Sequence, residues 1–127
     1  MIRTIGRRQL LKTGTAAGLV TLAAPGLLRA QSDPVVLGHL TPRTGFLGPM
    51  GEYAVMAVDL AVEEINAAGG INGRPLSVVK EDSVNPQTAT TKAERMVERG
   101  DLAMIIGEIS SASALSIAQV TARANKL

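Results

Sequence analysis

The apolar positions of the chain change period several times, and each change marks an element. Residues 34–40 (PVVLGHL) form a short β-branched run with Asp33 before it and Thr41-Pro42 after it, which reads as a strand. A loop over residues 41–50 follows, and Gly45, Gly48 and Gly51 recur at three-residue intervals. From Glu52 the period becomes helical: Val58, Ala61, Val62 and Ile65 share one face, and Glu52, Asp59, Glu63 and Asn66 mark the other. Gly69-Gly70 predicts a left-handed stop, with Ile71 placed for the apolar contact of a Schellman cap.

Asn72-Gly73 is a turn signal, and residues 75–81 predict a second strand through Leu76, Val78 and Val79. Asn85-Pro86 opens the next helix, with a side-chain acceptor at the N-cap and a fixed φ at the first helical position. Its apolar face is Ala89, Ala93, Met96 and Val97, and Gly100 closes it. Residues 102–106 (LAMII) show no alternation, which predicts a strand covered on both faces of a parallel sheet. A last helix is predicted over 112–125.

The order βαβαβα predicts an α/β fold with a parallel sheet and right-handed crossovers, built as one continuous domain over residues 31–127. A doubly wound sheet commonly has about five or six strands. The sequence therefore reads as the N-terminal part of a longer protein, with an unpaired apolar edge on its last strand.

Charge divides the chain in two. The first thirty residues contain Arg3, Arg7, Arg8, Lys12 and Arg29 and no acid, whereas the rest holds eight basic and eleven acidic residues, a net charge of −3. The basic character of the whole chain thus belongs to its N-terminal segment and gives no reason to expect nucleic-acid binding. That segment has the three-part layout of a secretory signal: a basic start, a weakly apolar stretch over 13–28, and Leu28-Arg29-Ala30 before a mature start near Gln31. Gly6-Arg7-Arg8-Gln9-Leu10-Leu11-Lys12 resembles a twin-arginine signal, with Gly6 departing from the usual Ser or Thr. The expected location is the periplasm, reached through export machinery that reads residues 1–30.

Composition narrows the chemistry further. With no Cys, one Phe, one Tyr and no Trp, the chain has no thiol nucleophile, no Cys-ligated metal and few stacking platforms. No G-x-S-x-G, S-x-x-K or HExxH motif occurs, so no enzyme activity is expected from these residues, and no cofactor. His39, the sole histidine, reads as structural, and no metal site is expected. Glu81-Asp82 reads as a solvated strand end.

Ligands of open α/β sheets bind outside the carboxyl ends of the strands, which leaves residues 41–51, 81–85 and 107–113 as candidates. In the last of these, Ser110, Ser111 and Ser113 follow Gly107 at a helix start, where free N–H groups, the helix dipole and hydroxyls coincide. Two readings stand: these serines hold a small anion, or they only cap the helix. In the first loop the glycines either let the backbone approach a ligand, with Phe46 and Met50 as apolar walls, or only shape a tight loop. Their spacing matches neither the dinucleotide fingerprint nor the P-loop.

The stretch GFLGPMG at 45–51, the phrase AVEEINAAGGINGRPL at 61–76, EDSVNP at 81–86 and the segment from Ile105 to Ser113 together resemble the periplasmic leucine/isoleucine/valine-binding protein family of ABC importers. The resemblance covers nearly all of residues 34–127. It implies a type I periplasmic binding protein fold, of which this chain would supply half or less of the first lobe. It further implies that the Ser110-Ser111 loop binds a ligand carboxylate, with the Ser111 hydroxyl as the leading contact. Met50 stands where some family members place an aromatic ring over the ligand, a departure that bears on side-chain selectivity. Partners implied are an amino acid or related small carboxylate and a membrane permease. The alternatives left open are an exported α/β enzyme cut short before its catalytic residues, and the ligand-sensing domain of a receptor.

Overall fold

A computed structural model describes residues 33–127; the signal-sequence expectation for residues 1–30 lies outside them. Among the described residues three strands and three helices alternate: β1 (Val35–Thr41), α1 (Gly48–Ala67), β2 (Leu76–Asp82), α2 (Pro86–Glu98), β3 (Leu102–Gly107) and α3 (Ser111–Arg123). The strands form one parallel sheet in the order β2-β1-β3. Val35 to Thr41 pair in step with Leu76 to Asp82. Against β3 the register slips once: Val36 faces Leu102 and Leu37 faces Met104, which leaves Ala103 unopposed in a bulge.

Strand alternation assigns the two faces. Val36 and Leu40 of β1 pack with Leu102 of β3, Ala89, Ala93 and Met96 of α2, and Ile117 and Val120 of α3, so α2 and α3 share one face. Leu40 and Leu102 are fully buried, and each contributes about 1.5–3 kcal/mol by leaving water. The small side chains of Ala89 and Ala93 let α2 lie close to the sheet. Gly38 does the same from below, since a Cβ there would stand 2.6 Å from Met96 Sδ.

The opposite face belongs to α1. Lys80, which pairs in register with His39, reaches down to form an ion pair with Asp59 of that helix. The buried stripe of α1 is Gly48, Gly51 and Val55, continued by half-buried Val58, Val62 and Ile65. Ala61, expected on this stripe, is exposed, while Asp59 and Asn66, expected on the solvent side, border the stripe and bond to β2. An amphipathic boundary is a poor guide where a long polar side chain can reach the neighbouring strand.

Helix α1 begins at Gly48, earlier than its hydrophobic pattern indicates. Pro49 supplies the pre-set φ of a first turn, and Met50 therefore lies on the helix and not in the loop. The glycine spacing is one helical turn. A Cβ on Gly51 would stand 1.7 Å from the Pro42 carbonyl oxygen, and one on Gly48 would stand 3.1 Å from that of Arg43. The two glycines let the helix start against the backbone leaving β1.

The turn from α1 to β2 follows its sequence closely. Gly69 and Gly70 have φ of 105° and 77°, and the Gly70 N–H donates to the Ile65 carbonyl at 2.9 Å. Asn72 and Gly73, at 53° and 80°, form the two-residue left-handed turn of a minimal hairpin in which Ile71 and Arg74 exchange both backbone bonds. Asn85 caps α2 by accepting from the Thr88 N–H at 2.9 Å. Strand β3 differs from expectation: Leu102 is buried, but Ala103 and Met104 are exposed and Ile105 and Ile106 are half-buried. It lies at the edge of the three-stranded sheet, and its Ile105 N–H donates to the Leu127 carbonyl at 2.8 Å.

Candidate functional site

Parallel strands bring their carboxyl ends to one rim, so Thr41, Asp82 and Gly107 deliver their three following loops side by side. The loop after β3 turns sharply. Gly107 has φ of 101° and Glu108 has φ of 72°, a left-handed pair that redirects the chain into α3. No side chain fits at Gly107, because a Cβ would lie 2.5 Å from both the His39 ring and the Leu40 carbonyl.

Ser110 is the N-cap of α3 by backbone geometry, with φ of −95° and ψ of 115°, but its side chain makes no capping hydrogen bond. The first intrahelical bond runs from the Ala114 N–H to the Ser110 carbonyl at 2.9 Å, so the N–H groups of Ser111, Ala112 and Ser113 precede the helical ladder. Ser110 is half-buried and Ser111 exposed at the rim. Ser113 is 1% exposed, so its hydroxyl sits inside the packing and its contribution at the rim is the backbone N–H.

One residue of this loop escaped the sequence analysis. The Glu108 carboxylate accepts from the Ser110 N–H at 2.8 Å through Oε1, and its Oε2 is buried without a partner among the described residues. A carboxylate therefore already stands beside the donors of the α3 start. The motif itself, an acid between a glycine and a hydroxyl run, was the available signal.

Among the described residues, buried polar atoms without partners gather at the same rim. They are the Thr41 and Ser83 hydroxyls, Glu108 Oε2 and both ring nitrogens of His39. Such atoms are costly in a finished interior, where nearly every buried polar group is paired. Burial lowers the His39 pKa, the Lys80 and Arg43 charges lower it further, and Asp59 and Glu108 act in opposition. His39 is thus a neutral imidazole near pH 7, held beneath the Gly107 turn.

Asp82 departs from a solvated strand end. It accepts from the Arg43 N–H at 2.9 Å, the Thr44 hydroxyl at 2.7 Å and the Val84 N–H at 3.1 Å. Burial raises its pKa, but these hydrogen bonds to the ionised form outweigh burial and the net shift is downward. Glu81 points its carboxylate to Lys92 of α2 at 2.7 Å. Arg43 in turn pairs with Glu52 at 3.0 Å, tying the first loop to α1.

Phe46 is 98% exposed and Met50 58% exposed, both on the segment that leaves the rim after β1. The structure brings the first-loop residues and the serines to the same end of the sheet, on separate loops. Gly45 shapes its turn with φ of 75°, and a Cβ there would meet nothing within 4 Å.

The family profile described as periplasmic binding protein matches residues 34–127. A Leu/Ile/Val-binding protein homolog of Brucella suis is 35% identical over 111 residues, spanning 87% of this chain and 27% of the relative. Among solved structures, a type 1 periplasmic binding protein from Bordetella pertussis is 30% identical with a TM-score of 0.66, covering 74% of this chain and 26% of its own. The substrate-binding protein of a branched-chain amino acid transporter from Streptococcus pneumoniae, solved with isoleucine, is 25% identical with a TM-score of 0.71, covering 74% and 27%. The chain spans about a quarter of the length of the relatives it matches. Its βαβαβα order, its parallel sheet and a match over all but the first of the described residues agree: the chain belongs to the periplasmic binding protein family, with the parallel α/β fold of the type I class.

Proposed function

We propose that this chain supplies the first part of the ligand-binding lobe of an extracytoplasmic solute receptor for an ABC importer, and that its ligand is a small carboxylate such as a branched-chain amino acid. The observation that carries this reading is the start of α3. Ser111 lies exposed at the rim, the Ser110 side chain is not spent on a cap, and three N–H groups precede the helical ladder. A ligand carboxylate docked there gains charge-assisted hydrogen bonds and the favourable end of the helix dipole. The capping-only reading of the serines loses support from the missing Ser110 cap bond.

The mechanism is differential binding by two lobes. The carboxylate engages the Ser110-Ser111 loop, with Phe46 and Met50 offering apolar surface to its side chain, and a second lobe closes over the remainder. The closed form is the state a membrane permease recognises. Residues 1–30 direct export by a twin-arginine-like signal, the mature chain starts near Gln31, and the protein works in the periplasm as a binding protein without catalysis. Relatives' names support an amino acid as ligand, since one is a Leu/Ile/Val-binding protein homolog and another was solved with isoleucine. A fatty acid transporter substrate-binding protein from Thermomonospora curvata, 25% identical with a TM-score of 0.68, supports carboxylates as the wider class.

Thermal-shift screening of the full-length mature protein against amino acids, other small carboxylates, amides and nucleotides tests the proposal. Stabilisation by leucine, isoleucine, valine or a related carboxylate is the expected result. Stabilisation by nucleotides or metal ions alone would overturn it and favour an exported enzyme.

A further inference from the structure

Asp82 holds two of the three rim loops at once. Its Oδ1 accepts from Arg43 N–H at 2.9 Å and from Val84 N–H at 3.1 Å, and its Oδ2 accepts from the Thr44 hydroxyl at 2.7 Å. Arg43 and Thr44 open the loop after β1, and Val84 lies in the loop after β2. Both acceptor atoms are therefore spent on connecting segments, on Arg43 and Thr44 at 39 and 38 residues from Asp82 in sequence and on Val84 two residues away, and none on the sheet itself.

The restraint acts where the side chains leave the packing: residues 43–46 and 84–85 are exposed, and the first loop's other ties run to α1 through the Arg43–Glu52 ion pair and the Gly48 N–H bond to the Gly45 carbonyl, not to β2. Val84 is 51% exposed with φ of 32°, a left-handed conformation that a β-branched residue adopts only when its surroundings impose it. On the other loop, Thr44 is followed by Gly45, left-handed with open space where a Cβ would stand, and by Phe46, which is almost fully exposed. The Thr44 hydroxyl bond is thus the last side-chain anchor before the chain swings out to Phe46. Behind the carboxylate, Ser83 donates its N–H to the Thr41 carbonyl at 3.1 Å, which fixes the strand ends that carry Asp82.

We propose that Asp82 is a positioning residue for ligand binding: it pins the loop from Arg43 to Phe46 onto the end of β2, so that this side of the crevice is formed before the ligand arrives. Preorganisation of this kind raises affinity by removing the cost of ordering the loop on binding. The inference rests on the receptor reading for its ligand. Its structural half, the pinned loop, stands apart from that reading.

The test uses the full-length mature protein with L-leucine as probe, comparing wild type, Asp82→Ala, Asp82→Asn and Thr44→Val. Asparagine keeps Oδ1 for the two N–H donors and can donate from Nδ2 to the Thr44 oxygen, so it restores the latch without the charge. Amide hydrogen exchange without ligand is expected to speed about tenfold or more at Arg43 in Asp82→Ala, with Leu37 and Leu40 of β1 unchanged and Asp82→Asn close to wild type. Leucine affinity by calorimetry is expected to fall about fivefold or more in Asp82→Ala and to recover in Asp82→Asn. Thr44→Val removes one bond only and gives an intermediate loss in both readouts, which keeps the test open should Asp82→Ala fail to fold.

Unchanged exchange at Arg43 in Asp82→Ala and Thr44→Val would overturn the pinned loop. Affinity lost equally in Asp82→Ala and Asp82→Asn, with normal exchange in the latter, would overturn positioning and make Asp82 a direct ligand contact. A wild-type protein that ignores leucine would count against the receptor reading, while the exchange comparison would still decide the latch.

Discussion

The side-chain amide of Asn66 pairs with both backbone groups of Leu76: the Leu76 N–H donates to Oδ1 at 2.7 Å and Nδ2 donates to the Leu76 carbonyl at 2.9 Å. One residue near the end of α1 thereby clips the first residue of β2, and the Gly69-Gly70 stop and Asn72-Gly73 turn lie inside the clip. The Asn66→Ala change leaves a part-buried donor and acceptor without partners, a cost of about 1–3 kcal/mol. Asn66→Asp keeps an acceptor for the N–H and loses the second bond, so chemical denaturation should rank it between wild type and Ala.

Gly51 and Gly45 separate two uses of glycine. At Gly51 a methyl group would collide with the Pro42 carbonyl, which is backbone and cannot rotate away, whereas at Gly45 it meets open space and costs only the left-handed conformation. Gly45→Ala should cost about 1–2 kcal/mol. Gly51→Ala should cost more, because α1 must move off the end of β1; comparing the two midpoints in urea checks the order.

Much of this was legible in the sequence, and what was not has a common cause. Local chemistry announces itself: Asn85-Pro86 caps α2, Asn72-Gly73 makes the hairpin turn, and Gly69-Gly70 ends α1. Gly48 and Gly51 were misleading, since glycine usually weakens a helix and only the nearby Pro42-Arg43 backbone makes it necessary there. Asn66, Asp59 and Asp82 are polar residues whose partners lie on other elements, so no periodicity reveals them. At the site, the serines and the first loop reach one rim because the strands are parallel. That Ser113 is buried while Glu108 takes a helix-start donor is a matter of packing, invisible to spacing.

The buried imidazole should make the protein sensitive to mild acid. His39 has a lowered pKa when folded, so between that value and the unfolded value near 6.5 the unfolded chain binds more protons. Stability is then complete above about pH 6.5 and declines as pH falls toward the folded value. Asp82 acts lower: its depressed pKa contributes stability present above the ordinary carboxylate value of 3.8 and lost as pH falls through the folded value. Denaturation midpoints of wild type and His39→Leu from pH 7.5 to 5 should diverge, with the variant lacking the histidine component of the decline.

Glu108 should weaken the docking of a ligand carboxylate group at the start of α3. Its carboxylate stands at the Ser110 N–H, and like charges a few ångströms apart repel by about 1 kcal/mol in water-like surroundings. Glu108→Gln retains an acceptor for that N–H while removing the charge. Leucine binding by this variant should tighten by about fivefold in low salt, with a smaller gain in high salt.

Whether the start of α3 receives the ligand carboxylate is decided by calorimetric titration of L-leucine into full-length mature wild type and Ser111→Ala. Wild type should bind, and the variant should lose about 1.5–3 kcal/mol, roughly tenfold or more in affinity, with the unliganded melting temperature unchanged. Equal affinity in the two proteins would contradict that placement and move the carboxylate to another part of the rim.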